Sequence, residues 1–224
     1  MKKNIAIVGC GIVGLLISYK FLKLGHKVTI FEKEEHKGLT NCSTTAAGML
    51  SPYCELIHSD KKIFDLGCDS IYRWKKIINE LEMKVYFKIK GSLIVGNKEH
   101  IAELDSICSR TNKYTNANIK IIKSKRISAL EPDIDSDDLI GLHFKEEGQI
   151  DCRQIINILI NFLLTNNCSI NFKAEVKNIQ NNSVILDNNK KIKFDHVIEC
   201  AGLHSLNNKR IRAVRGEIIE VYAP

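Results

Sequence analysis

The chain has 224 residues, 44% of them hydrophobic and 26% charged, with a formal net charge of +7. That balance is ordinary for a soluble globular protein with a sizeable core, and with no run of about 18 apolar residues a bilayer span is not expected. The positive charge is scattered in pairs such as Lys61-Lys62, Lys75-Lys76 and Lys190-Lys191, and with only 7% aromatic residues there is little to stack bases on, so nucleic acid is not an expected partner.

Eight cysteines would suggest disulfides in a small secreted protein, yet none is spaced as Cys-x-x-Cys, and the seven histidines show no paired spacing for zinc. The opening apolar run is broken by glycines and does not read as an export signal. The thiols are therefore expected to be reduced, mostly buried and cytoplasmic, with no metal site.

Residues 5–8 (Ile-Ala-Ile-Val) read as a buried strand that stops at a glycine. Gly9, Gly11 and Gly14 then have the spacing of a dinucleotide fingerprint: the first makes a tight turn, the second admits a pyrophosphate, the third packs helix on strand. The spacing predicts a helix over 12–24, with its N-terminal amides toward an anion, and a second strand over 27–31 with Glu32 at its tip. An acid at that distance suits a ribose hydroxyl and disfavours a 2′-phosphate. A lone Gly-x-Gly-x-x-Gly would be a weak signal, but strand, helix and acid agree on a dinucleotide, without choosing between NAD and FAD.

The small-residue run 43–52 (Ser-Thr-Thr-Ala-Ala-Gly-Met-Leu-Ser-Pro) leaves backbone amides accessible to something planar; a helix start with a hydroxyl N-cap explains it as well. Residues 59–81 carry apolar side chains at helical spacing and are expected to cover the sheet. Strands at 85–88 and 92–95 around Lys90-Gly91 suggest a hairpin, and with further strands at 119–122 and 139–144 and a polar helix over 99–114 they suggest an inserted antiparallel substrate domain. A short helix at 128–132 stops at Pro132. Gly148-Gln149-Ile150-Asp151 leads into a helix over 155–164, where Asp151 and Gln154 have capping-box spacing. Strands at 168–172 and 175–179, a hairpin of 183–186 with 191–194, and a buried strand at 195–200 follow. That last strand should rejoin the first sheet, placing Ala201 and Gly202 near the cofactor.

With these pieces the chain resembles the FAD-dependent D-amino-acid oxidase superfamily, and within it the glycine oxidases associated with thiamine biosynthesis. The motifs are Gly9-Cys10-Gly11-Ile12-Val13-Gly14 with Glu32, Thr44 to Pro52 with Glu55, Glu131-Pro132, Gly148 to Asp151, Val197 to Gly202 with His204-Ser205, and Val214-Arg215-Gly216-Glu217. The Ala46-Ala47-Gly48-Met49-Leu50 wording is the most family-specific. The resemblance implies an α/β fold, a Rossmann-like FAD-binding domain of the glutathione-reductase type with an inserted, incomplete antiparallel-sheet substrate domain. The implied boundaries are 1–84 and 148–205 for FAD binding, 85–147 for substrate, and 206–224 for a return strand.

It further implies that Ile12 and Val13 lie at the pyrophosphate, that Glu32 and Lys33 hold the adenosine ribose, and that Cys42 and Ser43 contact the dinucleotide. Ala46, Ala47, Gly48 and Met49 would lie along the isoalloxazine, and Val176 would meet the adenine through its backbone. Family members continue past the Val-Arg-Gly-Glu strand to supply a carboxylate-binding arginine, a Gly-x-Arg segment and a final helix. Here Ala213 stands where proline is usual, and Arg210, Arg212 and Arg215 belong to a different strand from that arginine. No catalytic residue is therefore assigned within the chain.

The implied activity is oxidative deamination of a small amino acid or amine, in concert with a complementing C-terminal polypeptide or an assembly of like chains. A truncated remnant with at most feeble nucleotide binding is a second reading. A third is the oxidase module of tRNA wobble-uridine modification, opposed by the lack of a methyltransferase half. A plain NAD dehydrogenase would leave 43–52 unexplained.

Overall fold

A computed structural model describes residues 1–36, 41–56, 59–82, 84–115, 117–135, 137–205, 212–214 and 216–219. Arg210 and Arg215 lie outside the described residues, and the described residues 212–214 and 216–219, where a return strand was expected, carry no regular secondary structure. The chain forms two compact units, one of residues 1–47 and 152–224, the other of residues 48–151.

In the first unit, β1 (Asn4–Val8) enters α1 (Ile12–Lys23) through the glycine turn, and β2 (Lys27–Phe31) follows beside β1 in parallel. The β-branched run of β1 is buried on both faces, as a central parallel strand must be. A short helix α2 (Cys42–Thr45) is capped by Asn41, whose Oδ1 accepts from Ser43 N at 3.0 Å and Thr44 N at 3.2 Å. A helix start is thus the local structure of that small-residue run.

The second unit opens with β3 (Met49–Leu50), α3 (Pro52–Glu55) and the long α4 (Lys61–Glu80). Next come β4 (Phe87–Lys88), β5 (Ser92–Gly96), α5 (Ile101–Tyr114), β6 (Ile122–Lys123), α6 (Ser124–Leu130), β7 (Ile140–Phe144) and β8 (Gly148–Ile150). They build two three-stranded antiparallel sheets, ordered β3-β8-β4 and β5-β7-β6. The expected hairpin of β4 with β5 does not form. Gly91, at φ +94°, turns the chain out of one sheet and into the other, its amide held by the Glu147 carbonyl at 2.9 Å. The packing of α4 also differs from expectation: Phe64 on α4 joins Tyr53, Leu104, Ile107, Leu142 and Phe144 in the core of this unit. Fully buried Glu147 completes it, accepting from Tyr53 N at 2.6 Å and Cys54 N at 3.0 Å and so satisfying the open end of α3.

The chain returns to the first unit through α7 (Cys152–Thr165), whose Ile155, Ile156, Leu159, Ile160 and Leu163 are buried at helical spacing. Tyr19 of α1 meets Phe162 of α7 edge to face, with ring centroids 5.6 Å apart. Then β9 (Ser169–Asn171) extends the parallel sheet, and a meander of β10 (Val176–Gln180), β11 (Ser183–Leu186) and β12 (Lys191–Lys193) packs Val176, Val184 and nearby Phe194 on Ala6, Val8 and Phe31. Asn181 and Asn182, both at positive φ, make the two-residue turn of its first hairpin. Finally β13 (His196–Glu199) lies parallel to β1, giving the order β13-β1-β2-β9. The last strand has rejoined the first sheet, as its apolar run predicts.

Among the described residues, no helix is long and apolar enough to cross a membrane.

Candidate functional site

The ends of β1, β2 and β13 surround a cavity of about 590 Å³ in the first unit. This is where an open parallel sheet binds ligands, outside the carboxyl ends of its strands. Gly9 and Gly11 floor it, and Glu32 and Lys33 come from the end of β2. Cys42 and Ser43 of α2 close one side, Val176 another, and Ala201 and Gly202 follow β13 into it.

Each glycine has its own constraint. A Cβ on Gly9 would fall 2.5 Å from the Cys200 carbonyl oxygen, and one on Gly14 would fall 2.1 Å from that of Gly9. Gly14 is therefore buried packing between α1 and β1 and does not line the cavity. At Gly11 a Cβ would meet only the Ser43 hydroxyl, at 3.2 Å, so this position keeps the turn open toward the cavity.

The Ile12 amide donates to Ser43 Oγ at 3.0 Å. One open donor of α1 is thus already held by α2, and the hydroxyl keeps its own proton to give. Glu32 is only 8% exposed. Its Oε2 accepts from Cys10 N at 2.8 Å and its Oε1 from Glu34 N at 3.0 Å. Each oxygen has a further lone pair, and the residue lines the cavity, so the carboxylate can still accept hydroxyl donors.

Ile12 and Val13 stand on α1 outside the lining, Val13 largely exposed. Ala46 and Ala47 follow α2 and are exposed, also outside the lining. Gly48 and Met49 open the second unit; Gly48 is buried at φ +74° and Met49 is exposed.

Several lining residues escape a reading of the sequence. Asn41 has a local signal, since an Asn before Cys-Ser-Thr is an N-cap pattern. Glu175, Lys177 and His204 have none: the first two flank Val176 at the start of β10, and His204 comes from the turn after β13. Lys177, bonded at 2.8 Å, holds the Glu175 carboxyl below its usual range, with Lys33 and His204 adding to the effect.

The two buried thiols of this unit, Cys10 and Cys168, are unreactive. Burial, with the charge of Glu32 and then Cys168 adding, pushes the Cys10 thiol up to about 12, and burial pushes Cys168 up to about 12 as well. A thiol reagent at mildly alkaline pH is expected to reach exposed Cys42 first, and Cys42→Ser is expected to remove the fast phase of labelling. Because the folded pKa values lie above the ordinary value near 9, the unfolded chain loses protons first. The contribution of these two thiols should be constant below pH 9 and be lost as pH rises toward about 12, as checked by urea midpoints between pH 8 and about 12.

A family model described as FAD dependent oxidoreductase (DAO) matches residues 4–224. A thiamine biosynthesis oxidoreductase, ThiO, of Rhizobium etli is 25% identical over 217 residues, which cover 96% of this chain and 59% of that protein. Glycine oxidase from Geobacillus kaustophilus superposes with a TM-score of 0.80 at 19% identity, over 90% of this chain and 55% of that one. L-amino acid deaminase from Proteus myxofaciens does so with a TM-score of 0.74 at 17% identity, over 90% and 46%. The chain therefore spans about half the length of these three proteins.

Proposed function

Because the chain belongs to the FAD dependent oxidoreductase family, we propose that it is the FAD-binding part of an enzyme that oxidatively deaminates a small amino acid or amine, as glycine oxidase does. The observation that carries this reading is buried Glu32 lining a cavity large enough for the adenosine and diphosphate of a dinucleotide. The bare backbone at Gly9 and Gly11 suits the close approach of phosphate oxygens.

In this reading Glu32 accepts the ribose hydroxyls, with Lys33 beside it. The Ser43 hydroxyl, while accepting from Ile12, donates to a phosphate oxygen. The Val176 backbone faces the adenine. Ala46, Ala47, Gly48 and Met49 are assigned to the flavin end because their small or unbranched side chains suit a flat ring. Bound here, FAD would supply the acceptor for a hydride from the amine-bearing carbon. The chain contributes binding and orientation, with no nucleophile or metal ligand assigned to it. A counter-charge for the substrate carboxylate is assigned to a complementing polypeptide, and the site of action to the cytoplasm.

The test is equilibrium titration of the full chain with FAD, read by flavin fluorescence. Binding is expected, with ADP competing and its 2′-phosphorylated analogue failing to compete. Anaerobic addition of glycine to the complemented holoprotein should bleach the flavin absorbance. No binding would reject the reading entirely; binding without bleaching by any small amino acid or amine would reject the substrate class.

A further inference from the structure

The second unit holds a basic concavity that the dinucleotide reading leaves unused. Lys120, Arg126, His143 and Lys145 line a space of about 340 Å³, together with apolar Ile119 and Ile122. Among the described residues, no carboxylate pairs with Lys120, Arg126 or Lys145. The one acid in the lining, Glu146, accepts from the Tyr53 hydroxyl at 2.5 Å, and Lys120, Arg126 and Lys145 outnumber its single charge three to one. We propose that this concavity binds the phosphoryl group of a small organic phosphate, with the apolar wall taking the organic part.

Three features support the assignment. Like charges brought together without a partner repel one another, and a bound dianion relieves that repulsion. The guanidinium of Arg126 offers paired donors suited to phosphoryl oxygens. The His143 ring is held in place: it packs over Gly91, where a Cβ would fall 2.6 Å from Nε2, and it hydrogen-bonds the backbone of Lys90. Partial burial, Arg126 and Lys145 keep the imidazole below its usual range in the absence of an anion. An anion among these groups would favour the imidazolium and turn His143 into a further donor.

The site is independent of dinucleotide binding, so it is tested on the full chain without flavin. The His143 ring is followed by NMR across pH in inorganic phosphate, in phenyl phosphate, and in chloride at matched ionic strength. Phosphate is expected to raise the His143 pKa by about one unit over chloride. Phenyl phosphate should give the same shift at a several-fold lower concentration. In the double variant Arg126→Ala, Lys145→Ala half-saturation should require at least about tenfold more phosphate, whereas Lys61→Ala, which removes a remote surface pair with Asp65, should leave it unchanged. An equal response to chloride and phosphate, an undiminished response in the double variant, or equal affinity for phosphate and phenyl phosphate would overturn the proposal.

Discussion

Replacing Glu32 with leucine is expected to be the most damaging single change in the first unit, lowering its stability and removing dinucleotide affinity together. The stability effect follows from the hydrogen bonds alone: the Cys10 amide would lose its carboxylate acceptor in a buried setting and the Glu34 amide in a partly buried one. An orphaned buried donor costs about 1–3 kcal/mol and a partly buried one less, so a loss of about 1–4 kcal/mol is expected for the pair. The added apolar contact of leucine offsets little of this, because the side chain would face an open cavity. Glu32→Gln separates the two roles. The amide oxygen can still accept from one N–H while its NH2 group faces the other, so roughly half of the stability loss should remain. Bonds from ribose hydroxyls to a charged acceptor are worth about 1.5–3 kcal/mol, and the Gln variant should weaken FAD binding by at least about tenfold. Urea denaturation measures the first effect and fluorescence titration the second. A Gln variant that binds FAD like the parent would remove Glu32 from the site.

The second large effect is expected at Gly14. The new methyl group of Gly14→Ala would lie 2.1 Å from the Gly9 carbonyl oxygen and 3.2 Å from Ile7 Cγ2, and a backbone atom cannot swing aside as a side-chain tip can. Either α1 lifts from β1 or the glycine turn shifts. Alanine gains up to about 1 kcal/mol in helix propensity, but overpacking a tight contact costs about 1–3 kcal/mol or more, so a net loss of about 2 kcal/mol is expected. Gly11→Ala provides the contrast. Its neighbour at 3.2 Å is the Ser43 hydroxyl, a side-chain tip that can give by a few tenths of an ångström and still hold the Ile12 amide, so stability should change little while the cavity narrows and FAD affinity falls. Thermal melts of both variants check the pair. A Gly14→Ala protein that melts with the parent would show that the close approach of α1 and β1 is not needed.

The two substitutions also mark how far the chain could be read without coordinates. The first strand, glycine turn, helix and acid were legible because each signal is local: an apolar run, a glycine where the backbone must approach closely, and an acid at a strand tip. The β13 strand and its return to the first sheet were legible for the same reason, while its pairing with β1 is seen only in the structure.

The second unit was harder to read. Strands β4 and β5 look like a hairpin in sequence, yet their partners are β8 and β7, each more than 40 residues away. Gly148–Ile150 is too short and too polar to announce itself as the central strand of a sheet. Glu146 and Glu147 are adjacent and alike in sequence, but one is exposed and the other fully buried against the α3 amides.

What the sequence determined by itself is the parallel nucleotide-type framework and the positions of its glycines and its acid, because backbone conformation and strand-to-helix order depend on near neighbours. What only the tertiary structure decided is which distant strands pair, which carboxylates are buried, and how Glu175, Lys177 and His204 come to share one cavity wall with Glu32. Those outcomes depend on burying apolar side chains and satisfying backbone donors across long stretches of chain, and no local pattern of residues encodes that choice.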